Sequence, residues 1–297
     1  MKAPTYKIVK HLVRILNNLT LNNHYNAANS TNLAINLANL KISENHKLIM
    51  YNIKDLYLNI PTEETLAITK SMLLKHNDTQ IMQQIITLIS LVLSQNYFMF
   101  QNKIYQPEKD VSMSSPITST IAELFLQHFE DIHIKQLLDM KNVIFYKHYV
   151  DVILIIYDTK RIHPNLINTY KNKIHTDIKL NPTKENNGCI SFLDVFTIRK
   201  PSNLETDIFC KPTTTDTTIN FFSNHLTEHK VAAFRYHITI LHSLPLIPER
   251  KQKECTLIQP ITQNNNFPKK LLQKLNFQIQ HKQTNHDQIN ERIKNKT

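Results

Sequence analysis

Two short stretches carry side chains whose types and spacing could do chemistry. One is Asn52-Ile53-Lys54-Asp55-Leu56-Tyr57, at the end of an apolar run. The other is Tyr149-Val150-Asp151-Val152, where a single carboxylate interrupts the apolar segment 145–158. Carboxylates at a strand end and a hairpin turn can hold two magnesium ions about 3.5–4 Å apart, a symmetric clamp for phosphoryl transfer. Magnesium is hard and takes oxygen ligands, usually one or two carboxylates with phosphate oxygens and water. That chemistry uses more than one carboxylate, yet Asp151 stands alone in its segment. A third stretch, His225-Leu226-Thr227-Glu228-His229, fits the HxxEH pattern of zinc hydrolases. It would need both histidines on one helix face, a distant third ligand, and Glu228 as base.

Composition narrows the classes. Gly188 is the only glycine among 297 residues. A P-loop and a dinucleotide fingerprint both need several, because only a backbone without Cβ approaches phosphate closely enough. Turns must use Asn, Asp, Ser and the 12 prolines instead. The three cysteines, Cys189, Cys210 and Cys255, form no CxxC pair. A disulfide scaffold and a four-cysteine zinc site are excluded, and an intracellular setting is expected, with nothing to distinguish nucleus from cytoplasm. No apolar run reaches the length of a membrane span, and the first residues make a poor signal peptide. The net charge of +11 suits an anionic partner such as nucleic acid, the alternative being a merely solvated basic face. Residues 269–297 hold seven Lys and Arg against two Asp and Glu and read as a basic polar tail or frayed helix.

The elements that must position these residues follow from periodicity. Helical spacing covers 6–19, 32–40, 81–93, 119–135 and 162–174. Residues 17–29 read as a loop, and a helix with Glu63 and Glu64 in its first turn follows Pro61. Strands are expected at 47–54, 190–199 and 206–211, with hairpins over 97–105 and 145–157. Beyond Thr217 the chain reads as mainly helical, broken at Pro245, Pro248, Pro260 and Pro268. The order describes an α+β domain followed by a mainly helical one.

The motifs also resemble those of one family. YNIKDLYLNIPTEETL (51–66) is similar to fDVxSLYTNIPxxET, and YKHYVDVILI (146–155) to KRYVDDxL. Between them, YQPEKDVSMSSPITSTIAELFLQHFE (105–130) resembles YxQxxGxxMGSPLSPxxAxxFMxxFE. Further on, ISFLDVFTIRK, FCKPTTTDTTI and SNHLTEHKVAAFRYHI resemble FLDxxIxR, xRKPTxTDxxI and SxHPxxHKxAAFRxxI, and NNNFP stands where the family has NGYP. The start, APTYKIVKHLVRIL, matches the segment preceding the catalytic strand. In this order, and to about Leu275, the chain resembles the reverse transcriptases of Penelope-like retroelements.

The resemblance implies a right-hand polymerase: an antiparallel palm sheet with helices, partial fingers and a mainly helical thumb. The expected divisions are lead-in helices and partial fingers at 1–47, palm at 48–200, palm–thumb junction and thumb at 201–275, and a basic tail at 276–297. It implies Mg2+ as cofactor, and an RNA template, a DNA primer-template duplex and dNTPs as partners. Asp151 falls on the first hairpin carboxylate, a metal ligand. Tyr57 falls on the aromatic that screens the 2′-hydroxyl, and Asp55 near the incoming triphosphate. Met113, Ser114 and Pro116 fall on the loop that holds template and nucleotide. Phe192 to Asp194 and Lys211 to Thr213 belong to the later palm and its junction. The departures are specific. Asn52 and Val152 occupy the positions of two catalytic aspartates, and Asp110 and Ser114 those of loop glycines. Asp55, three residues past Asn52, is expected to point elsewhere. On this resemblance the chain is expected to start after the basic fingers segment and to stop before the nuclease domain that some members carry. The expectation is a truncated, degenerate copy, either a crippled polymerase or a non-catalytic nucleic-acid-binding relic. The match to SxHPxxHK accounts for His225 and His229 without zinc.

Overall fold

The computed structural model describes residues 5–20, 23–74, 79–95, 97–106, 115–163 and 178–294. The chain divides into two compact units, residues 1–27 with 45–185 and residues 28–44 with 186–297.

In the first unit an antiparallel sheet holds the candidate site. Its strands are β1 (His46–Lys54), β4 (Val143–Tyr149), β5 (Val152–Asp158) and β6 (Lys179–Lys184), in the order β4-β5-β1-β6. A two-stranded hairpin, β2 (Phe98–Phe100) and β3 (Lys103–Tyr105), stands apart from it. In β1 the side chains of Ile49, Tyr51 and Ile53 are buried while Asn52 and Lys54 are exposed, the alternation of a strand with one covered face. The helices are α1 (Tyr6–Thr20), α3 (Thr62–Leu74), α4 (Thr79–Ser94) and α5 (Thr118–Asp139). α5 packs on β4 and gathers α1 and α3 around itself. Its Ile121, Leu124 and Phe125 are fully buried with the β1 and β5 side chains. Each such side chain contributes about 1.5–3 kcal/mol relative to exposure. The outer edge of β4 is covered by residues 25–27: the His148 N–H donates to the Tyr25 carbonyl at 2.8 Å, and the Ala27 N–H to the His148 carbonyl at 2.7 Å.

The second unit holds a three-stranded antiparallel sheet, β7 (Cys189–Phe192), β8 (Val195–Arg199) and β9 (Leu204–Ile208). α2 (Ser30–Ala38) packs against β9. Three further helices follow, α6 (Thr227–Ser243), α7 (Pro248–Asn264) and α8 (Lys269–Lys294), around Val231, Phe234, Ile238, Phe267 and Leu275. Asn265 caps α7 and joins the core: its amide donates to the Asp216 and Ile261 carbonyls, and its side-chain oxygen accepts from the Thr218 N–H.

Several expectations are corrected. The loop expected from residue 17 begins later, because α1 runs to Thr20. The strand expected over 190–199 is a hairpin, turned at Leu193, whose φ is 56°. β6 is a strand that periodicity did not mark. Pro260 lies inside α7 rather than breaking it. Of the two readings of the last stretch, a tail or a helix, the structure has the helix, since α8 runs to Lys294. The helix expected over 162–174 lies mostly outside the described residues. Among the described residues, no helix is long and apolar enough to cross a membrane.

Candidate active site

The hairpin of β4 and β5 turns through two residues, Val150 and Asp151, because Tyr149 and Val152 are paired. Val150 has φ 54°, a left-handed conformation in which a β-branched side chain crowds its own backbone. The turn is fastened to β1, since the Ile53 N–H donates to the Asp151 carbonyl at 2.7 Å. Asn52 is paired with Val152 on one side and with Asn181 of β6 on the other. A row therefore crosses the sheet: Tyr149, Val152, Asn52, Asn181. It presents a phenol, an isopropyl group and two amides, with the Asp151 carboxylate at the turn beside it.

β1 ends where Asp55 takes φ 50°. The Asn59 side chain holds this corner, donating to the Lys54 and Asp55 carbonyls at 3.1 and 2.9 Å. Asp55 is exposed. The single 3-10 turn Leu56–Leu58 follows, anchored by buried Leu56. It brings Tyr57, half-buried, toward Asp151: burial raises the phenol's pKa, and the negative charges of Asp151 and Glu123 add to it. Pro116 sits at the entry to α5, where the Thr118 N–H donates to the Ser115 carbonyl at 3.1 Å. Met113 and Ser114 lie outside the described residues. The structure thus brings Asn52, Asp151, Val152 and Tyr57 together and leaves Asp55 at the adjoining corner.

Beneath the hairpin lies a charged network that the sequence reading missed. His148 is wholly buried, 0% exposed. Its Nδ1 lies 2.7 Å from Glu130 Oε1 and its Nε2 lies 3.0 Å from Glu123 Oε2. The Tyr146 hydroxyl donates to Glu130 Oε1 at 2.7 Å, and the Asn23 amide to Glu123 Oε1 at 2.6 Å. Burial lowers the imidazolium's pKa, but the Glu130 charge and the bonds to Glu123 and Glu130 override this and push it up to about 10. Burial works against the Glu123 carboxylate, yet His148 holds it below its usual range. A charged ring between two carboxylates ties α5 to β4 and, through Asn23, to the segment that covers the β4 edge.

Do these residues fit magnesium? Asp151 supplies one anionic oxygen donor and the two amides supply neutral ones. Among the described residues, no group of three His, Cys, Asp or Glu is placed to hold a metal ion. This donor set does not fit a two-magnesium centre. The zinc pattern does not assemble either. His225 precedes α6, so it shares no helix face with His229, and Glu228 pairs with Arg235 at 3.0 Å.

The later motifs lie in the second unit. Asp194, at the β7–β8 turn, accepts from the Ser30 hydroxyl at 2.8 Å and the Tyr236 hydroxyl at 2.7 Å, a structural clasp joining α2, the turn and α6.

No protein-family model matches the chain, and no curated protein matches it. Solved structures do. A telomerase from Candida albicans, in complex with a fragment of telomeric RNA, matches with a TM-score of 0.62 at 10% identity, over 88% of this chain and 46% of that one. An apo telomerase from Candida tropicalis matches with a TM-score of 0.58 at 10% identity, over 91% and 54%. The RNA polymerase complex of a double-stranded RNA virus matches with a TM-score of 0.50 at 11% identity, over 86% and 24%. The chain spans about half the length of the telomerase chains. The likeness shows the fold: an α+β, reverse-transcriptase-like polymerase fold, with an antiparallel palm sheet and a mainly helical thumb.

Proposed function

We propose that this chain is a reverse-transcriptase domain of retroelement descent, Penelope-like in kind, that no longer performs templated DNA synthesis and keeps the capacity to bind nucleic acid. The observation that carries the reading is the row across the sheet, where Asn52 and Val152 lie side by side; on the motif resemblance these are the positions of two metal-binding aspartates, which leaves Asp151 as the surviving carboxylate. The ordered motifs support the family, and the polymerase fold supports the descent. Tyr57, Asp55, Met113, Ser114 and Pro116 are the residues of the nucleotide pocket on this reading. The partners are an RNA template and a primer-template duplex, with dNTP the ancestral substrate. The solved telomerase that carries an RNA fragment supports the choice of nucleic acid.

The test is primer extension on an RNA template with magnesium and dNTPs, beside the double substitution Asn52→Asp and Val152→Asp. The expected outcome is no incorporation by the natural chain. Extension by the doubly substituted chain alone would place the defect at these two positions. Clear incorporation by the natural chain would overturn the proposal.

A further inference from the structure

Lys54 and Lys179 stand directly opposite each other where β1 pairs with β6. Two positions back along the same face is the Asn52–Asn181 pair. All four residues are exposed, and among the described residues none of the four side chains has a hydrogen-bond or ion-pair partner. Like charges directly opposite on neighbouring strands destabilise the pairing. An anion lying between the two ammonium groups removes that repulsion.

The chemistry of position 52 points the same way. An ionised aspartate only accepts hydrogen bonds, whereas the Asn52 amide also donates. The four side chains present two ammoniums and two amide N–H2 groups on an open patch about 5 Å across the strands and about 7 Å along them. That is the footprint of a backbone phosphate, not of an enclosed ligand. The adjoining carboxylates, Asp55 at the end of β1 and Asp151 at the hairpin turn, form no ion pair with the two lysines among the described residues. Two further carboxylates at 52 and 152 would make the face acidic, and a phosphate would then need a bridging divalent cation.

We propose that Asn52, Lys54, Lys179 and Asn181 form a metal-independent contact for the phosphodiester backbone of a nucleic acid, on the surface where the ancestral metals sat. The proposal rests on the nucleic-acid-binding reading above. Its test is the affinity of the full chain for a short labelled RNA–DNA hybrid, by fluorescence anisotropy, in magnesium and in chelator, over a range of salt. The natural chain is expected to bind equally in both. Lys54→Ala with Lys179→Ala should weaken binding and reduce the slope of log affinity against log salt by about two. The same variant should melt no lower than the natural chain, since it removes a repulsion. Asn52→Asp with Val152→Asp should bind less tightly in chelator than in magnesium. Loss of natural-chain binding in chelator would overturn the proposal, as would an unchanged salt slope in the lysine variant; either leaves nucleic-acid binding itself standing. Failure of the natural chain to bind the hybrid under any condition would overturn both.

Discussion

His148 is a buried cation, and its protonation makes the stability of the first unit depend on pH. An unfolded histidine titrates near about 6.5, and in the folded chain the value is pushed up to about 10. The stabilisation is therefore complete below about pH 6.5 and is lost as the pH rises toward about 10. Glu123 works in the opposite sense: held below its usual range, it stabilises at neutral pH and loses this on acidification. Denaturant midpoints of the natural chain should fall between about pH 7 and pH 10, and those of His148→Gln should fall less. Parallel alkaline profiles would show that the ring carries no buried charge. Glu130→Ala, which leaves that charge with one partner fewer, should cost about 3–5 kcal/mol. Glu228→Ala, at the exposed pair with Arg235, should stay within about 1 kcal/mol. None of this was legible in the sequence. His148 and Glu123 lie 25 positions apart, and each looks like a surface residue. The one available signal was the seven-residue spacing of Glu123 and Glu130, two turns along one helix face.

At the scale of elements, the scarcity of glycine has a visible cost. Asp55, Gln101, Asn102, Lys141, Val150, Asn187, Leu193 and Asn266 all adopt positive φ, while Gly188 takes a single turn with φ 75°. Asn tolerates this conformation, but Val and Leu do not. Val150→Asn should raise the unfolding free energy by about 1 kcal/mol through relieved strain, and with it the midpoint measured by equilibrium unfolding. A lower midpoint would mean that the valine's own contacts outweigh its backbone strain. The same turns explain what periodicity could and could not mark. α1, α4 and α5 were legible because their apolar residues repeat at 3.6, and the β4–β5 hairpin because a carboxylate breaks an otherwise apolar run. The β7–β8 turn was hidden because Leu193 continues the apolar run and belongs to no turn-forming class. β6, reading Lys-Leu-Asn-Pro-Thr-Lys, buries Leu180 alone, so no pattern announced it. Asn52, Asp151, Val152 and Tyr57 were singled out through motif order, and the sheet register puts Asn52 beside Val152, with Asp151 in the adjoining turn.

At the scale of the whole molecule, the units are discontinuous. Residues 28–44 leave the first unit and return to it, and α2 packs within the second. A fragment ending at residue 185 thus keeps α2 without β9, exposing Leu33, Ala34 and Leu37, which are buried in the full chain. Such a fragment should self-associate on size-exclusion chromatography, and Leu33→Ser with Leu37→Ser should return it to a monomer. A monomeric unsubstituted fragment would show that this face is covered without the second unit.

The position of α2 also bears on how the chain is made. Its partner strand, β9, begins at Leu204, while α2 ends at Ala38. At roughly 5–20 residues per second, the ribosome needs about 8–33 seconds to deliver one after the other. Throughout that interval the apolar face of α2 is a nascent-chain signal with no native surface to meet, and so a natural landing place for a chaperone during translation.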